Sequence, residues 1–204
     1  TDPGEGITNS VAYALEKLGI TPPERKELYK FIGPPLYESF MEYYGLTPEN
    51  AQKGVKYYRE YFDARGIFQN VPYPDAAAAL NKLKELGYVL VLATSKPEPA
   101  ALRILKKFET EKYFDFVCGA DLEGKLTKKD DVIRYAMRAA NIADPSSAVM
   151  VGDRKHDVYG ARANGMICVG VTFGYGGETE LKEAKAAFIA QNFAQVTDYI
   201  INLG

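Results

Sequence analysis

Residues 148–157 read Ala-Val-Met-Val-Gly-Asp-Arg-Lys-His-Asp. The first four form a short apolar run, and a glycine and an aspartate follow it. The run is too short for a helix and predicts a buried β-strand at 148–151. The residues beyond it predict a helix over 158–164. A short apolar strand that leads through polar residues into a helix is the repeating unit of a parallel α/β sheet.

The same alternation continues on both sides of this stretch. Further strands are predicted at 88–93, around 116–118, at 167–171 and at 188–189. The other helices are predicted at 76–86, 97–107, about 129–140, 178–185 and 193–203. Nearly continuous apolar strands separated by helices indicate a parallel sheet covered on both faces. The predicted fold class is therefore a doubly wound α/β fold.

The first third of the chain predicts helices alone. They are expected at 7–18, about 22–32, 36–44 and 47–64. The stretch Val71-Pro72-Tyr73-Pro74-Asp75 then places two prolines within three residues, which neither a helix nor a central strand tolerates. We therefore predict an all-helical subdomain at 1–72 and an α/β core at 73–204.

Composition excludes several classes of function. Of the 204 residues, 25 are Lys or Arg and 27 are Asp or Glu, so no nucleic-acid polymer is expected as a partner. The longest apolar run, 88–93, is far shorter than the ~20 residues that cross a bilayer, and the N-terminus lacks the parts of a signal peptide. Cys118 and Cys168 lie in apolar runs, as buried reduced thiols do. A soluble cytoplasmic protein without a membrane partner is expected.

Ligands of an open parallel sheet bind beyond the carboxyl ends of its strands, so the polar residues there are the candidates for function. The strand at 88–93 leads into Thr94-Ser95-Lys96-Pro97. The Thr94 hydroxyl and the Ser95 amide could bind an anion at the start of the next helix. Helix capping is the alternative, because a hydroxyl residue shortly before proline is also typical of a helix start.

Two carboxylates follow the strand at 148–151. Asp153 and Asp157 suit Mg²⁺, which prefers oxygen ligands, but they could equally form a turn and a helix cap. Lys128 and Lys129 stand before another helix, either as surface lysines or with one reaching back to a phosphate. A hydroxyl, an ammonium group and paired carboxylates at successive strand ends together predict a Mg²⁺-dependent phosphoryl site.

Four segments carry a resemblance to a known family: residues 1–7, 31–36, 93–97 and 152–157. With them, the chain resembles phosphatases of the haloacid dehalogenase superfamily that carry a helical cap inserted after the first strand. The segments are most similar to bacterial 5′-nucleotidase-like proteins, and phosphoglycolate phosphatase-like proteins are the alternative. The resemblance implies an enzyme that uses Mg²⁺ to hydrolyse small phosphorylated metabolites. Gly33 and Pro34 match cap positions that face the leaving group.

The resemblance also implies a role for each residue of the site. Thr94 matches the phosphate-binding hydroxyl, and Ser95 supplies a neighbouring amide. Lys129 matches the phosphate-binding lysine better than the lysine before it does. Asp153 matches the direct Mg²⁺ ligand. Asp157 matches the second acidic residue of the metal site, which orients metal-bound water or Lys129.

One part of the family pattern is missing. The family carries Asp-x-Asp-Gly-Thr at the end of its first strand, where the first aspartate attacks phosphorus and the second is the general acid and base. No Asp-x-Asp that follows an apolar strand occurs in this sequence. By the resemblance it belongs just before Thr1, on a central strand whose loss would leave buried backbone groups unpaired, so we expect the natural protein to carry it. The alternative is a phosphate-binding protein without catalytic activity.

Overall fold

The computed structural model describes residues 1–121, 126 and 128–203. Its internal contacts divide the chain into two compact units, Thr1–Tyr73 and Pro74–Gly204. The division falls inside the stretch 71–75, where closely spaced prolines interrupt regular structure.

The N-terminal unit is entirely helical in its regular structure. Its elements are α1 (Gly4–Lys17), a 3₁₀ helix (Arg25–Phe31), α2 (Leu36–Tyr44), α3 (Pro48–Ala64) and a 3₁₀ turn (Gly66–Phe68). α3 begins as the sequence predicts, because the Thr47 side chain caps it and proline occupies its first position. The α-helix expected at about 22–32 is instead a 3₁₀ helix at Arg25–Phe31. Two consecutive prolines precede it, and with seven residues it is longer than most helices of this tighter kind.

The core of this unit lies between α1 and its neighbours. Val11, Ala14 and Leu15 of α1 are fully buried. At the start of α1, a side chain on Gly6 would overlap the carbonyl of Gly66, so the close crossing depends on the absence of a Cβ. The unit is therefore closed by tight packing between its first helix and its last turn.

The C-terminal unit alternates strands and helices. Its elements are α4 (Ala76–Glu85), β1 (Val91–Pro97), α5 (Glu98–Lys107), a 3₁₀ turn (Glu111–Tyr113), β2 (Phe116–Ala120), α6 (Lys129–Ala139), a 3₁₀ turn (Pro145–Ser147), β3 (Val149–Gly152), α7 (Lys155–Ala163), β4 (Ile167–Val171), α8 (Gly177–Glu183), β5 (Phe188–Ala190) and α9 (Phe193–Ile201).

The strands form two parallel sheets. β1 pairs with β2, and β3, β4 and β5 pair in that order. In the described ranges, β1 therefore has β2 as its sole partner strand and β3 has β4. The strand expected at 88–93 lies further along the chain, because its pairing with β2 starts at Val91 and extends to Pro97 through a shift of register.

Side chains of β4 show how helices cover both faces of the larger sheet. Cys168 packs with Val158 of α7 and Leu181 of α8 on one face. Its neighbour Val169 packs with Val196 of α9 on the other face. Successive residues of a strand point to opposite faces, so this alternation shows the doubly wound arrangement that the sequence predicts.

Candidate active site

Thr94 lies in the middle of β1, at the point where its regular pairing with β2 ends. Its hydroxyl oxygen accepts a hydrogen bond from the Lys96 amide at 3.1 Å. The register with β2 shifts between Thr94 and Pro97, a feature that re-aims side chains at the edges of functional sites. The hydroxyl proton of Thr94 is not used in this bond, so it can still be donated to an anion. Ser95 beside it is exposed. Helix capping, the alternative from the sequence, is not observed, because the residue that caps α5 is Pro97 and no described side chain makes a capping hydrogen bond there.

Lys129 is the first residue of α6 and reaches across to two other elements. Its Nζ donates to the carbonyl oxygen of Ala93, in β1, at 2.8 Å. It also lies 2.9 Å from Oδ1 of Asp157, and its side chain is only 13% exposed. Gly160 of α7 leaves the space for this side chain, since a Cβ there would come within 3.0 Å of Lys129 Cγ. Lys128, by contrast, is exposed, so the geometry distinguishes the two lysines.

Asp157 is buried and both of its carboxylate oxygens have protein donors. Oδ1 pairs with Lys129, and Oδ2 accepts the Arg154 amide at 3.0 Å. That second bond satisfies an amide at the start of α7, so the helix begins at Lys155 and not at 158 as predicted from the sequence. A Cβ on Gly152 would overlap the Asp157 carboxyl, so only glycine fits at the end of β3. The position of Asp157 supports the orientation of Lys129, while its direct ligation of a metal stays a prediction.

Asp153 directly follows β3. Its Oδ2 accepts a hydrogen bond from the Tyr175 amide at 2.7 Å. Burial raises the pKa of the Asp153 carboxyl, although the bond from Tyr175 acts in the opposite direction. A half-buried carboxylate at a strand end is stabilised in its charged form by a nearby cation.

The structure adds Lys96 to the residues near Asp153. Burial lowers the pKa of Lys96 to about 8, and the negative charge of Asp153 opposes that shift. The sequence motif contains Lys96, but spacing along one strand does not reveal which charges on another strand act on it. The ends of β1 and β3 thus bring opposite charges together.

The donor set is compatible with Mg²⁺. Within the described ranges, no three His, Cys, Asp or Glu side chains are grouped so that they could hold a metal by themselves. Mg²⁺ keeps several waters and is usually bound through one or two carboxylates together with substrate phosphate oxygens. Asp153 provides such a carboxylate, so the residues present fit this cation.

Gly33 and Pro34 lie in the N-terminal unit, between its 3₁₀ helix and α2. Gly33 has a φ of 111°, a conformation that favours glycine, and it is exposed. Pro34 is half-buried. Their contact with a substrate remains a prediction from the sequence.

Comparison with known proteins defines the class to which this fold and site belong. Residues 1–171 match the family described as haloacid dehalogenase-like hydrolase. The chain therefore belongs to the haloacid dehalogenase-like hydrolase family.

Particular relatives narrow this description. The chain is 40% identical over 182 residues to a 5′-nucleotidase of Pseudomonas aeruginosa, covering 89% of this chain and 82% of that protein. It is 38% identical over 176 residues to the tyrosine-protein kinase PtkA of Mycobacterium tuberculosis, covering 86% of this chain and 60% of the kinase. It is 33% identical over 178 residues to a phosphoglycolate phosphatase of Neisseria gonorrhoeae, covering 83% and 74%.

A solved structure agrees with the fold. A protein described as a predicted phosphatase from Clostridium acetobutylicum matches with a TM-score of 0.94 at 45% identity, over 98% of this chain and 93% of that chain. The predicted superfamily and α/β class are confirmed, and the chain is a phosphatase of this family. Among the described residues, no helix is both long and apolar enough to cross a bilayer.

Proposed function

We propose that this phosphatase uses Mg²⁺ to hydrolyse small phosphomonoesters, with nucleoside 5′-monophosphates as the preferred class. The observation that carries the proposal is the position of Lys129. Its ammonium group donates to the carbonyl oxygen of Ala93 in β1, the residue directly before Thr94, and it also lies beside the buried Asp157. A lysine held at the ends of parallel strands is suited to bind the oxygens of a phosphoryl group.

Each residue of the site has a distinct part in this proposal. The Thr94 hydroxyl and the Ser95 amide orient the phosphoryl group, and Lys129 neutralises charge on its oxygens. Asp157 holds the Lys129 ammonium group in place. Asp153 would hold the Mg²⁺ ion, which when bound would stabilise negative charge on the phosphoryl oxygens. Water molecules and phosphate oxygens would supply its other ligands.

The attacking group is inferred from the resemblance to the family, and the topology of the sheets is compatible with the strand that would carry it. The sequence of 204 residues contains no Asp-x-Asp. β1 pairs with β2 alone and β3 with β4 alone within the described residues, so each has an edge to which a further strand could bond. A strand that pairs with these edges and ends in Asp-x-Asp would place a carboxylate beside Lys129. That carboxylate would attack phosphorus and break the ester P–O bond, and the second aspartate of the motif would protonate the departing alcohol. Water would then hydrolyse the aspartyl-phosphate to inorganic phosphate and the free carboxylate.

The substrate class is supported by the relatives. The 5′-nucleotidase of Pseudomonas aeruginosa has a higher identity to this chain than the phosphoglycolate phosphatase of Neisseria gonorrhoeae. The second candidate within the same chemistry is therefore phosphoglycolate. Cytoplasmic location is part of the proposal, because Cys118 and Cys168 are free, buried thiols of the kind that a reducing compartment maintains.

A phosphate-release assay on the product of the natural gene tests the proposal. Nucleoside 5′-monophosphates and phosphoglycolate would be compared with Mg²⁺ present and with the metal chelated. We expect Mg²⁺-dependent release and a higher kcat/KM for a nucleotide than for phosphoglycolate. A preference for phosphoglycolate would select the second candidate, and Mg²⁺ and phosphate binding without turnover would indicate an inactive binding protein.

A further inference from the structure

Glu180 of α8 gathers three hydrogen-bond donors from the segment that follows β3. Its Oε1 accepts from Arg154 Nε at 2.9 Å and from the Lys155 amide at 2.8 Å. Its Oε2 lies 3.4 Å from Arg154 Nη2. The Glu180 and Arg154 side chains are 22% and 14% exposed. One carboxylate thus holds both the side chain of Arg154 and the backbone at the start of α7.

The connection that precedes α8 lies directly against Asp153. The Tyr175 amide donates to the Asp153 carboxylate at 2.7 Å. A Cβ on Gly174 would overlap that carboxylate, and a Cβ on Gly176 would overlap the Asp153 carbonyl. Two glycines therefore permit a close approach that a side chain at either position would prevent. The position of Asp153 depends on the placement of α8 and of the residues before it.

Glu180 also acts electrostatically, because it pairs with the positive charge of Arg154. Arg154 directly follows Asp153 in the chain, and its guanidinium pairs with Glu180 of α8. Burial by itself would raise the pKa of Glu180, but the donors on Arg154 and Lys155 lower it overall. Glu180 is therefore the charged partner that keeps the guanidinium engaged on the α8 side.

We propose that Glu180 is a positioning residue for the divalent-cation site at Asp153. By binding Arg154 it prevents the guanidinium from pairing with the Asp153 carboxylate in competition with the cation. By binding the Lys155 amide it fixes the backbone that carries Asp153. The proposal rests on the Mg²⁺-dependent function proposed above. It adds Glu180, which lies 26 positions after Arg154 in the sequence, to the residues that support the metal site.

The test is the affinity for Mn²⁺ alone, measured by electron paramagnetic resonance on the product of the natural gene. Loss of groups that orient metal ligands typically weakens metal binding about 10- to 100-fold, and we expect Glu180→Gln to weaken Mn²⁺ binding at least about 10-fold. Glu183→Gln is the matched control, because it removes one exposed carboxylate from the same helix. It should bind Mn²⁺ within about twofold of wild type.

Arg154→Met separates the two parts of the mechanism. If Glu180 acts by holding the guanidinium away, Glu180→Gln should have no more than about a twofold effect on Mn²⁺ affinity when it is made in the Arg154→Met protein. A tenfold loss that persists in that background would overturn the competition argument. Thermal unfolding of each variant sets a temperature at which all are folded. Glu180→Asp keeps the charge and should bind Mn²⁺ more tightly than Glu180→Gln, which provides a second comparison if the amide variant does not fold.

The outcomes separate this inference from the proposed function. Equal Mn²⁺ affinity of wild type and Glu180→Gln overturns the role of Glu180 and leaves the proposed function intact. An equal loss in Glu183→Gln also overturns it, because the effect would then be one of net charge. Absence of Mn²⁺ binding by the wild-type protein overturns both.

Discussion

The ammonium nitrogen of Lys129 lies 2.9 Å from Oδ1 of Asp157, and each side chain is close to fully buried. Lys129 starts the helix that follows β2, and Asp157 stands in the helix that follows β3, so the pair connects the two sheets of the C-terminal unit. The same ammonium group donates to the backbone of β1 at Ala93. A buried lysine with both of these partners is fixed in position before any substrate binds, which reduces the cost of organising the site.

Lys129→Met should therefore abolish most of the activity. Removing one positioned donor to a developing negative charge costs about 10²- to 10³-fold in rate, and we expect a loss of that size in kcat/KM for phosphate release. The matched control is Lys128→Met, which removes the exposed neighbour and should stay within about twofold of wild type. Similar losses of kcat/KM in the two variants would show that Lys129 has no specific role in phosphate release.

Asp157→Asn should lower the stability of the protein as well as its activity. The amide can still accept the Arg154 amide proton, but the buried Lys129 loses its charged partner. Breaking a buried ion pair by removing one partner costs about 3–5 kcal/mol, and because the variant keeps one hydrogen bond we expect about 3 kcal/mol from urea unfolding. Asp198→Asn breaks an exposed ion pair with Lys82 and should change the free energy of unfolding by less than about 1 kcal/mol. A cost for Asp157→Asn as small as that of the control would contradict the importance of the pair.

Asp153→Asn is expected to remove metal-dependent activity while leaving the fold in place. The asparagine oxygen can still accept from the Tyr175 amide, so the local hydrogen bond survives and only the charge is lost. Since a bound metal contributes several kcal/mol to stabilisation of transition-state charge, we expect kcat/KM to fall at least about 100-fold. Chelation should inactivate the wild type reversibly, with recovery on return of Mg²⁺. Wild-type activity in Asp153→Asn would eliminate the metal assignment.

The sequence predicts the site better than it predicts the connections that support it. The rule that polar residues gather at the carboxyl ends of parallel strands predicts that Lys129 and Asp157 meet, and in the structure Lys129 contacts both Asp157 and the Ala93 carbonyl of β1. The link between Arg154 and Glu180 could not be predicted in the same way. It joins residues 26 positions apart, through side chains whose meeting depends on how α7 and α8 pack. The predicted bounds of β1 were wrong for a related reason, because its extent is determined by its pairing with β2.

Asp115 provides a test that depends on pH and lies away from the site. Its carboxylate accepts hydrogen bonds from the Lys84 ammonium group and from the Leu90 amide, the latter at 2.8 Å. These donors lower the pKa of Asp115 in the folded protein. A carboxyl with a lowered folded-state pKa stabilises the fold above its unfolded pKa of about 3.9, and this contribution is lost as the pH falls through the folded value.

We therefore expect Asp115→Asn to be less stable than wild type near pH 6, and the difference in the free energy of unfolding to narrow below about pH 4. Urea unfolding of both proteins over this pH range measures the difference directly. Lys84→Met is the matched control, because it removes the donor with the largest effect on the pKa of Asp115 and leaves the Leu90 amide. In that background the dependence on pH should become smaller. A difference between wild type and Asp115→Asn that stays constant across the range would show that the carboxylate of Asp115 is no more stabilised in the folded chain than in the unfolded one.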